Sequence, residues 1–313
     1  MIAGIESVLI ILILIGIGCF FSKKNFWPDG TSGALSAIVV KLAAPALALI
    51  SISDGFTPTM LRESAVLMGI GIIYMSLMFV CAKLLSKILK LNGGKKIIFE
   101  INFIFANVTF IGLPITQISL GNDAIPYLFI IYIITLILFW TLGAYMIAHG
   151  STESTDEERP FSIKKIFSPG LFAVIAGIIL VEFQIELPFI LYESISYISY
   201  ICVPLSLLVI GSKLLPDRIR DLKPDISTVI IMIGKFVISP LLMYLLLTLF
   251  HIEGIAFKAM LLASTMPCHM QTSIMANHYD VESEYSSKMV SFSTLLCFIT
   301  IPTYVTILQS INL

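Results

Sequence analysis

Ten apolar segments, each about 20 residues long, alternate with short connectors along the chain. A helix rises 1.5 Å per residue, so ~20 residues cross the ~30 Å hydrocarbon core of a bilayer. The chain is 58% hydrophobic and 12% charged, whereas soluble domains carry about 25% charged residues. We therefore predict an all-α membrane protein with ten transmembrane helices. Segments 1 to 10 are predicted at 3–21, 33–52, 64–86, 97–120, 125–148, 168–186, 189–213, 226–250, 255–278 and 285–308.

The basic residues are distributed unevenly between the connectors. Only Arg62 and Lys258 follow even-numbered segments, and Lys41 and Lys235 lie within segments. The positive-inside rule therefore places the odd-numbered connectors in the cytoplasm and both termini outside the cell. Segment 1 has no basic residue before it, so we expect a retained span of a multi-pass plasma-membrane protein and not a signal peptide. The other basic residues all follow odd-numbered segments: Lys23, Lys24, Lys83, Lys87, Lys90, Lys95, Lys96, Arg159, Lys164, Lys165, Lys213, Arg218, Arg220, Lys223 and Lys288.

One polar linker, residues 149–167, divides the chain near its midpoint into two parts, residues 1–148 and 168–313. Each part holds five segments, and because five is odd, the second part enters the membrane in the opposite orientation. Landmarks recur about 160 residues apart, namely Pro45 with Pro204 and Ala106-Asn107 with Pro267-Cys268. The sequence thus predicts two inverted five-helix repeats joined by a cytoplasmic linker.

Segments 4 and 9 are interrupted by polar and helix-breaking residues, at 105–114 (FANVTFIGLP) and 264–273 (STMPCHMQTS). Non-helical backbone at membrane depth is tolerated only where protein or water covers it. Paired breaks in corresponding parts of two repeats indicate a transporter binding site. The alternative interpretation is that Pro114 and Pro267 are ordinary kinks, which are frequent in membrane helices.

A half-helix that begins at the midplane carries about half a positive charge at its N-terminus. Two such ends would form an anion site without a formal cation. We expect a carboxylate to accept from backbone N–H groups around Val108–Thr109 and Cys268–His269. The Asn107 amide, the Thr109 hydroxyl and the His269 imidazole are the expected side-chain partners. His269 could couple protons to transport, or remain neutral and bonded to a freed carbonyl.

Three ionisable residues within segments have alternative interpretations. Lys41, one turn before Pro45, could bond carbonyls freed by a kink, hold substrate charge or extend to the interface. Lys235 is interpreted as structural, extending partway to the cytoplasmic surface. Glu100 is expected at the interface near a helix N-terminus, with proton coupling as the alternative.

The motifs together resemble those of the auxin efflux carrier family, which includes plant PIN-type carriers and bacterial organic-acid permeases. The similar strings are Asn107-Val-Thr-Phe-Ile-Gly112-Leu-Pro114, Lys41-Leu-Ala-Ala-Pro45, and Pro267 followed by Ala276-Asn-His-Tyr279-Asp, Ser293-Thr294 and Pro302. Plant members have Pro where Ala106 stands here, and their central loop is much longer.

The resemblance implies that segments 4 and 9 cross, that segments 1, 2, 6 and 7 form a scaffold, and that segments 3–5 and 8–10 form a moving transport domain. It also implies that Asn107 and the crossover at Pro267 touch an organic anion. The complete set of candidate substrate-binding residues is Lys41, Asn107, Val108, Thr109, Gly112, Pro267, Cys268, His269 and Gln271.

Several chemistries lack support in the sequence. The two breaks contain no Asp or Glu, which argues against cation antiport and leaves sodium coupling without an obvious site. No zinc-protease, serine-hydrolase or P-loop motif occurs, and the cysteines show no metal-ligand spacing. We therefore expect no enzyme activity, no metal and no cofactor.

The predicted function is secondary transport of small organic anions, such as mono- or dicarboxylates, by alternating access. The alternatives are a membrane sensor that binds a ligand without translocating it, and a sodium-coupled symporter of bile-acid-like anions. The expected partners are the anion and the lipid bilayer, with a homodimer as an open alternative. No nucleic-acid partner is expected.

Overall fold

The computed structural model describes residues 2–28, 30–150, 168–213 and 224–310, and within that part the protein is all-helical. Most of the predicted linker 149–167 lies outside the described residues, as do Arg159, Lys164, Lys165, Arg218, Arg220 and Lys223. The helices are α1 Ile2–Lys23, α2 Thr31–Gly55, α3 Pro58–Ile88, α4 Gly93–Ile104, α5 Val108–Leu120, α6 Asn122–His149, α7 Pro169–Glu182, α8 Phe189–Ser212, α9 Ile226–Leu249, α10 Gly254–Ser264, α11 Met270–His278 and α12 Ser283–Ser310.

Six of these helices are individually long and apolar enough to cross a membrane, namely α2, α3, α6, α8, α9 and α12. Shorter apolar helices lie in α1, α5, α7 and α10. The prediction of a multi-pass, all-helical membrane protein is therefore confirmed. The count of ten spans and their arrangement as an inverted repeat stay predictions.

Segments 4 and 9 are broken, as their sequences predict. Segment 4 consists of α4 and α5, and Phe105 between them has an extended backbone (φ −84°, ψ 135°). Segment 9 consists of α10 and α11, and His269 before α11 is also extended (φ −68°, ψ 120°). Ala106, which replaces the Pro of plant carriers, does not keep segment 4 helical. The interpretation as an ordinary kink is therefore wrong for Pro267, whereas Pro114 lies within α5 and not at the break.

Close helix contacts at glycines position the helices that surround these breaks. A Cβ on Gly211 of α8 would fall on the backbone carbonyl of Ile15 in α1, and a Cβ on Gly18 would fall on that of Leu208. A Cβ on Gly177 of α7 would lie 3.0 Å from the side chain of Ile52 in α2. In lipid the hydrophobic effect does not drive helices together, so they associate through close van der Waals packing, which small residues allow.

Four of the described helices contain a π-helical turn: Val39–Ala43 in α2, Val108–Gly112 at the start of α5, Phe139–Gly143 in α6 and Gly234–Ile238 in α9. A π-helical turn shifts the register of the side chains that follow it and is frequent at functional sites. Two of these turns carry the only lysines found well inside the predicted segments, Lys41 and Lys235.

Candidate functional site

The two broken segments cross and pair through their backbones. The N–H of Asn107 donates to the carbonyl of Pro267 at 2.8 Å, and the N–H of His269 donates to the carbonyl of Phe105 at 3.2 Å. These bonds form an antiparallel bridge between Ala106 and Cys268. Each break therefore provides hydrogen-bond partners for backbone groups that the other break leaves unpaired, as burial in a membrane requires.

Side chains cap both half-helices that begin at the crossing. The Oδ1 of Asn107 accepts a hydrogen bond from the N–H of Phe110 at 3.2 Å, and Asn is among the strongest N-cap residues. The Nδ1 of His269 accepts from the N–H of Gln271 at 3.2 Å. Pro267 has no N–H to continue α10 and disfavours helical geometry at the residue before it. Local chemistry thus explains why both helices restart where they do.

Most of the backbone donors that we expected to hold an anion are already engaged. The N–H of Val108 donates to the carbonyl of Ala106 at 3.0 Å, and that of Cys268 donates to the Oγ of Ser293 at 3.1 Å. The N–H of His269 bonds the opposite chain segment, as described above. The prediction that these three groups remain available to a ligand is wrong, because the crossing itself uses them. Side chains must provide the polar contacts instead.

A cavity of about 540 Å³ lies against the crossing. Six of the nine candidate binding residues line it: Lys41, Asn107, Val108, Thr109, His269 and Gln271. Gly112, Pro267 and Cys268 are not among the residues that line the cavity. Ten further residues complete the wall, which sequence reasoning missed: Val40, Phe110, Tyr132, Thr135, Leu136, Phe139, Trp140, Ser168, Pro169 and Met270.

The polar groups of the wall suit an anion. Lys41 is exposed on the cavity wall, on the π-helical turn of α2. None of the described lining residues carries a carboxylate. An ammonium beside a cavity whose described wall holds no counter-charge attracts a negatively charged ligand.

Two buried polar groups on the wall lack hydrogen-bond partners within the described residues. They are the Nδ2 of Asn107 and the Oγ1 of Thr135, and each residue is only 2% exposed. Leaving such a group unbonded costs about 1–3 kcal/mol, so it favours a ligand or water that bonds it. Both groups can donate a hydrogen bond to an oxygen anion.

His269 is held in a fixed orientation on the cavity wall. Its ring stacks on that of Phe139, with centroids 4.7 Å apart and planes inclined by 6°. Because Nδ1 accepts the N–H of Gln271, the neutral imidazole carries its proton on Nε2 and presents a donor there. We expected a neutral His269 to bond a carbonyl freed by the break. Its Nδ1 instead accepts a hydrogen bond from the N–H of Gln271.

Lys235 supports the crossing from behind the cavity. Its side chain is fully buried, and its Nζ donates to the carbonyl of Phe105 at 2.7 Å. This contact supports the interpretation of Lys235 as structural, whereas the expectation that it extends partway to the cytoplasmic surface is wrong. The carbonyl of Phe105 thus accepts from both Lys235 and the N–H of His269. An ionisable residue in the middle of an apolar segment was the available sequence signal for this role.

Glu100 is also buried, which corrects the expectation of an interfacial position. Its carboxylate lies 2.6 Å from the Nζ of Lys83 and accepts a hydrogen bond from the Oγ of Ser86 at 2.6 Å. Its side chain is 1% exposed. Both partners lie on α3, so this carboxylate attaches α4 to α3. Across the described residues, no three or more His, Cys, Asp or Glu side chains are grouped to hold a metal ion.

Comparison with known proteins agrees with these features. The chain is 26% identical over 303 residues to an uncharacterized transporter of Methanocaldococcus jannaschii, covering 95% of this chain and 96% of that protein. It is 23% identical over 293 residues to a protein of Rhizobium meliloti named "Putative malonate transporter", covering 92% and 90% of the two chains. Both relatives are named as transporters. The family model described as "Membrane transport protein" matches residues 3–305, so the chain belongs to this family, the auxin efflux carrier family that its motifs resemble.

Proposed function

We propose that this membrane transporter is a secondary carrier of small organic anions, and that mono- or dicarboxylates are its substrates. The observation that carries the proposal is the 540 Å³ cavity, whose described wall presents Lys41 and two unpartnered buried polar groups but no carboxylate. The malonate transport named for the Rhizobium meliloti relative is compatible with this substrate class.

We propose that the carboxylate of the substrate binds beside Lys41 and accepts from the Nδ2 of Asn107 and the Nε2–H of His269. The hydroxyls of Thr109 and Thr135 are further donors on the same wall. The aromatic side chains of the wall would exclude water and pack against the carbon skeleton. Pro267 and Cys268 would contribute by fixing the crossing and not by contact with the substrate.

Alternating access is part of the proposal. The cavity extends from the crossing to Ser168 and Pro169 at the beginning of α7, the side on which the basic connectors predict the cytoplasm. On the other side, the rings of Phe56 and Tyr127 are 5.4 Å apart. We infer an inward-open arrangement of ten spans in two inverted repeats, 1–148 and 168–313. Segments 3–5 and 8–10 would move as one domain against a scaffold of segments 1, 2, 6 and 7.

Counterflow in proteoliposomes tests the function. Vesicles loaded with unlabelled malonate should accumulate labelled malonate through the purified protein, with saturation. Binding without exchange would support a sensor, and exchange that requires a sodium gradient would support a sodium-coupled symporter. The first result would refute transport, and the second would replace the proposed carrier with the sodium-coupled alternative.

Lys41→Gln tests the site, with Lys24→Gln, an exposed lysine outside the cavity, as the control. A hydrogen bond to a charged group contributes about 1.5–3 kcal/mol, so we expect affinity to fall roughly 10- to 100-fold for Lys41→Gln. The Lys24→Gln variant should transport normally. Equal affinities of both variants would exclude Lys41 from binding.

A further inference from the structure

A second large hollow lies away from the crossing, between α2, α3, α6 and α7. Its volume is about 380 Å³, and we call it the lateral groove. Its single polar lining side chain within the described residues is Ser64, whose hydroxyl donates to the carbonyl of Met60 at 2.9 Å and so needs no further partner. The groove is lined by Ile52, Phe56, Leu61, Ser64, Ala65, Met68, Pro126, Phe129, Ile130, Ile133, Val174 and Ile178.

The lateral groove runs from the ends of its helices toward the middle of the bilayer. On α6 it extends from Pro126, near the beginning of the helix, to Ile133. Seven residues at 1.5 Å each give a length of about 10 Å. An empty apolar groove would forfeit dispersion contacts along its wall. Because these helices are apolar spans within lipid, a hydrocarbon chain fits the groove better than water does.

An ion pair lies at the helix ends from which the groove starts. The Nη2 of Arg62 in α3 is 3.3 Å from the Oε1 of Glu182 in α7. Arg62 precedes Ala65 by one helical turn, and Glu182 follows Ile178 by one turn, so each charge lies next to a groove residue of its own helix. The two side chains are 76% and 41% exposed, and such exposed pairs contribute only about 0–1 kcal/mol. A headgroup can therefore replace their mutual contact at little cost.

We propose that the lateral groove and this ion pair form a binding site for a phospholipid with a zwitterionic, primary-ammonium headgroup. One acyl chain fills the groove, the phosphate binds the guanidinium of Arg62, and the ammonium binds the carboxylate of Glu182. The planar guanidinium donates two parallel hydrogen bonds to phosphate. Because one Arg62 nitrogen contacts Glu182 in the ion pair, other N–H groups of the guanidinium can reach a phosphate.

The neighbouring positive and negative charges select the headgroup. An ethanolamine ammonium has three N–H donors for Glu182, whereas a choline nitrogen has none. An anionic glycerol headgroup offers no cation and would be repelled by the carboxylate. The acyl chains are the same in all three lipids, so the groove itself cannot distinguish them. Selectivity must therefore depend on Arg62 and Glu182, and it is independent of what the carrier transports.

Lipid retention by the purified full-length protein tests the proposal. The protein in detergent is mixed with dioleoyl phosphatidylethanolamine, phosphatidylcholine or phosphatidylglycerol, and bound lipid is counted by native mass spectrometry alongside the melting temperature. We expect a roughly three- to fivefold preference for the ethanolamine lipid over the choline lipid, which corresponds to about 0.7–1 kcal/mol and lies within the range for an exposed charge pair. The ethanolamine lipid should also raise the melting temperature most.

Three variants separate the contributions. Glu182→Gln should abolish the preference for ethanolamine over choline, and Arg62→Gln should weaken retention of all three lipids. Ala65→Leu, which fills the groove, should reduce retention of all three without changing the preference. Lys258→Gln, remote from the groove wall, is the control and should behave as the original protein. Equal retention of the three lipids, a preference for phosphatidylglycerol, or a preference that survives both charge substitutions would overturn the proposal.

Discussion

Asn107 combines two roles that substitution can separate. Its Oδ1 caps α5 through the N–H of Phe110, and its Nδ2 is buried on the cavity wall without a partner in the described part of the chain. Asn107→Ala removes both groups. Asn107→Ser keeps an oxygen that can cap the helix but has no N–H at the position of Nδ2.

The magnitudes follow from these contacts. Loss of a hydrogen bond to a carboxylate costs about 1.5–3 kcal/mol, which lowers affinity roughly 10- to 100-fold in both variants. Loss of the cap costs a further ~1 kcal/mol of folding free energy, and only in Asn107→Ala. We therefore expect both variants to bind substrate weakly, whereas only Asn107→Ala also melts at a lower temperature.

The assay measures counterflow and melting temperature on the same preparations, at equal amounts of protein in the vesicle membrane. Asn122→Ser is the matched control, because Asn122 is exposed and bonds Gln117 at 2.8 Å outside the cavity. Unchanged affinity in Asn107→Ser would show that Nδ2 does not bind the substrate. Transport by Asn107→Ser that is normal once the amounts of protein are equal would refute the reasoning equally.

Three further predictions concern the supports of the site. Lys235→Met removes the bond to the Phe105 carbonyl, so we expect turnover to fall at least about tenfold; the melting temperature should hold or rise, because an apolar side chain avoids the cost of a buried charge. Asp225→Asn should lower the melting temperature at neutral pH, and this difference should shrink as the pH falls below about 4 and vanish only as the pH passes through the lower pKa of the folded state. Gly211→Ala should destabilise the protein by about 1–3 kcal/mol through overpacking, whereas Gly16→Ala, with open space around it, should not.

The sign of the pH effect follows from the environment of Asp225, just before α9. Partial burial raises the pKa of its carboxyl, but hydrogen bonds from Lys95, Ser227 and Thr228 outweigh that effect and hold the pKa well below its usual value. A depressed pKa stabilises the folded state above the unfolded pKa of about 4, and this stabilisation is lost as the pH falls through the folded pKa. A melting difference between the Asp225→Asn variant and the original protein that stays constant down to pH 3 would contradict this assignment.

The predictions for Lys235→Met and Gly211→Ala can each be contradicted by one result. Normal turnover in Lys235→Met would show that the crossing keeps its geometry without the ammonium. Equal melting temperatures for Gly211→Ala and Gly16→Ala would show that α1 and α8 separate easily where the structure has them in contact.

The sequence by itself determined the membrane class and the two breaks. In lipid, a long apolar segment pairs its backbone N–H and C=O groups by forming a helix. This constraint acts between residues close in sequence, so distant residues are not needed to predict it. The breaks were predictable for the same reason, since the missing N–H of Pro267 and the capping side chain of Asn107 act within one turn. Of the six candidate binding residues that line the cavity, five do so because they flank these local features, and Lys41 lines it from α2.

Only the tertiary structure decided how the broken ends are satisfied. The bonds from the N–H of His269 and the Nζ of Lys235 to the carbonyl of Phe105 join residues at least 130 positions apart. The same long-range pairing engaged the N–H groups that local reasoning left free for an anion. Burial of Glu100 against α3 and the aromatic wall from α6 likewise depend on which helices pack together. Hydropathy and capping chemistry report on neighbours along the chain, whereas these contacts are made between helices that the sequence pattern does not pair.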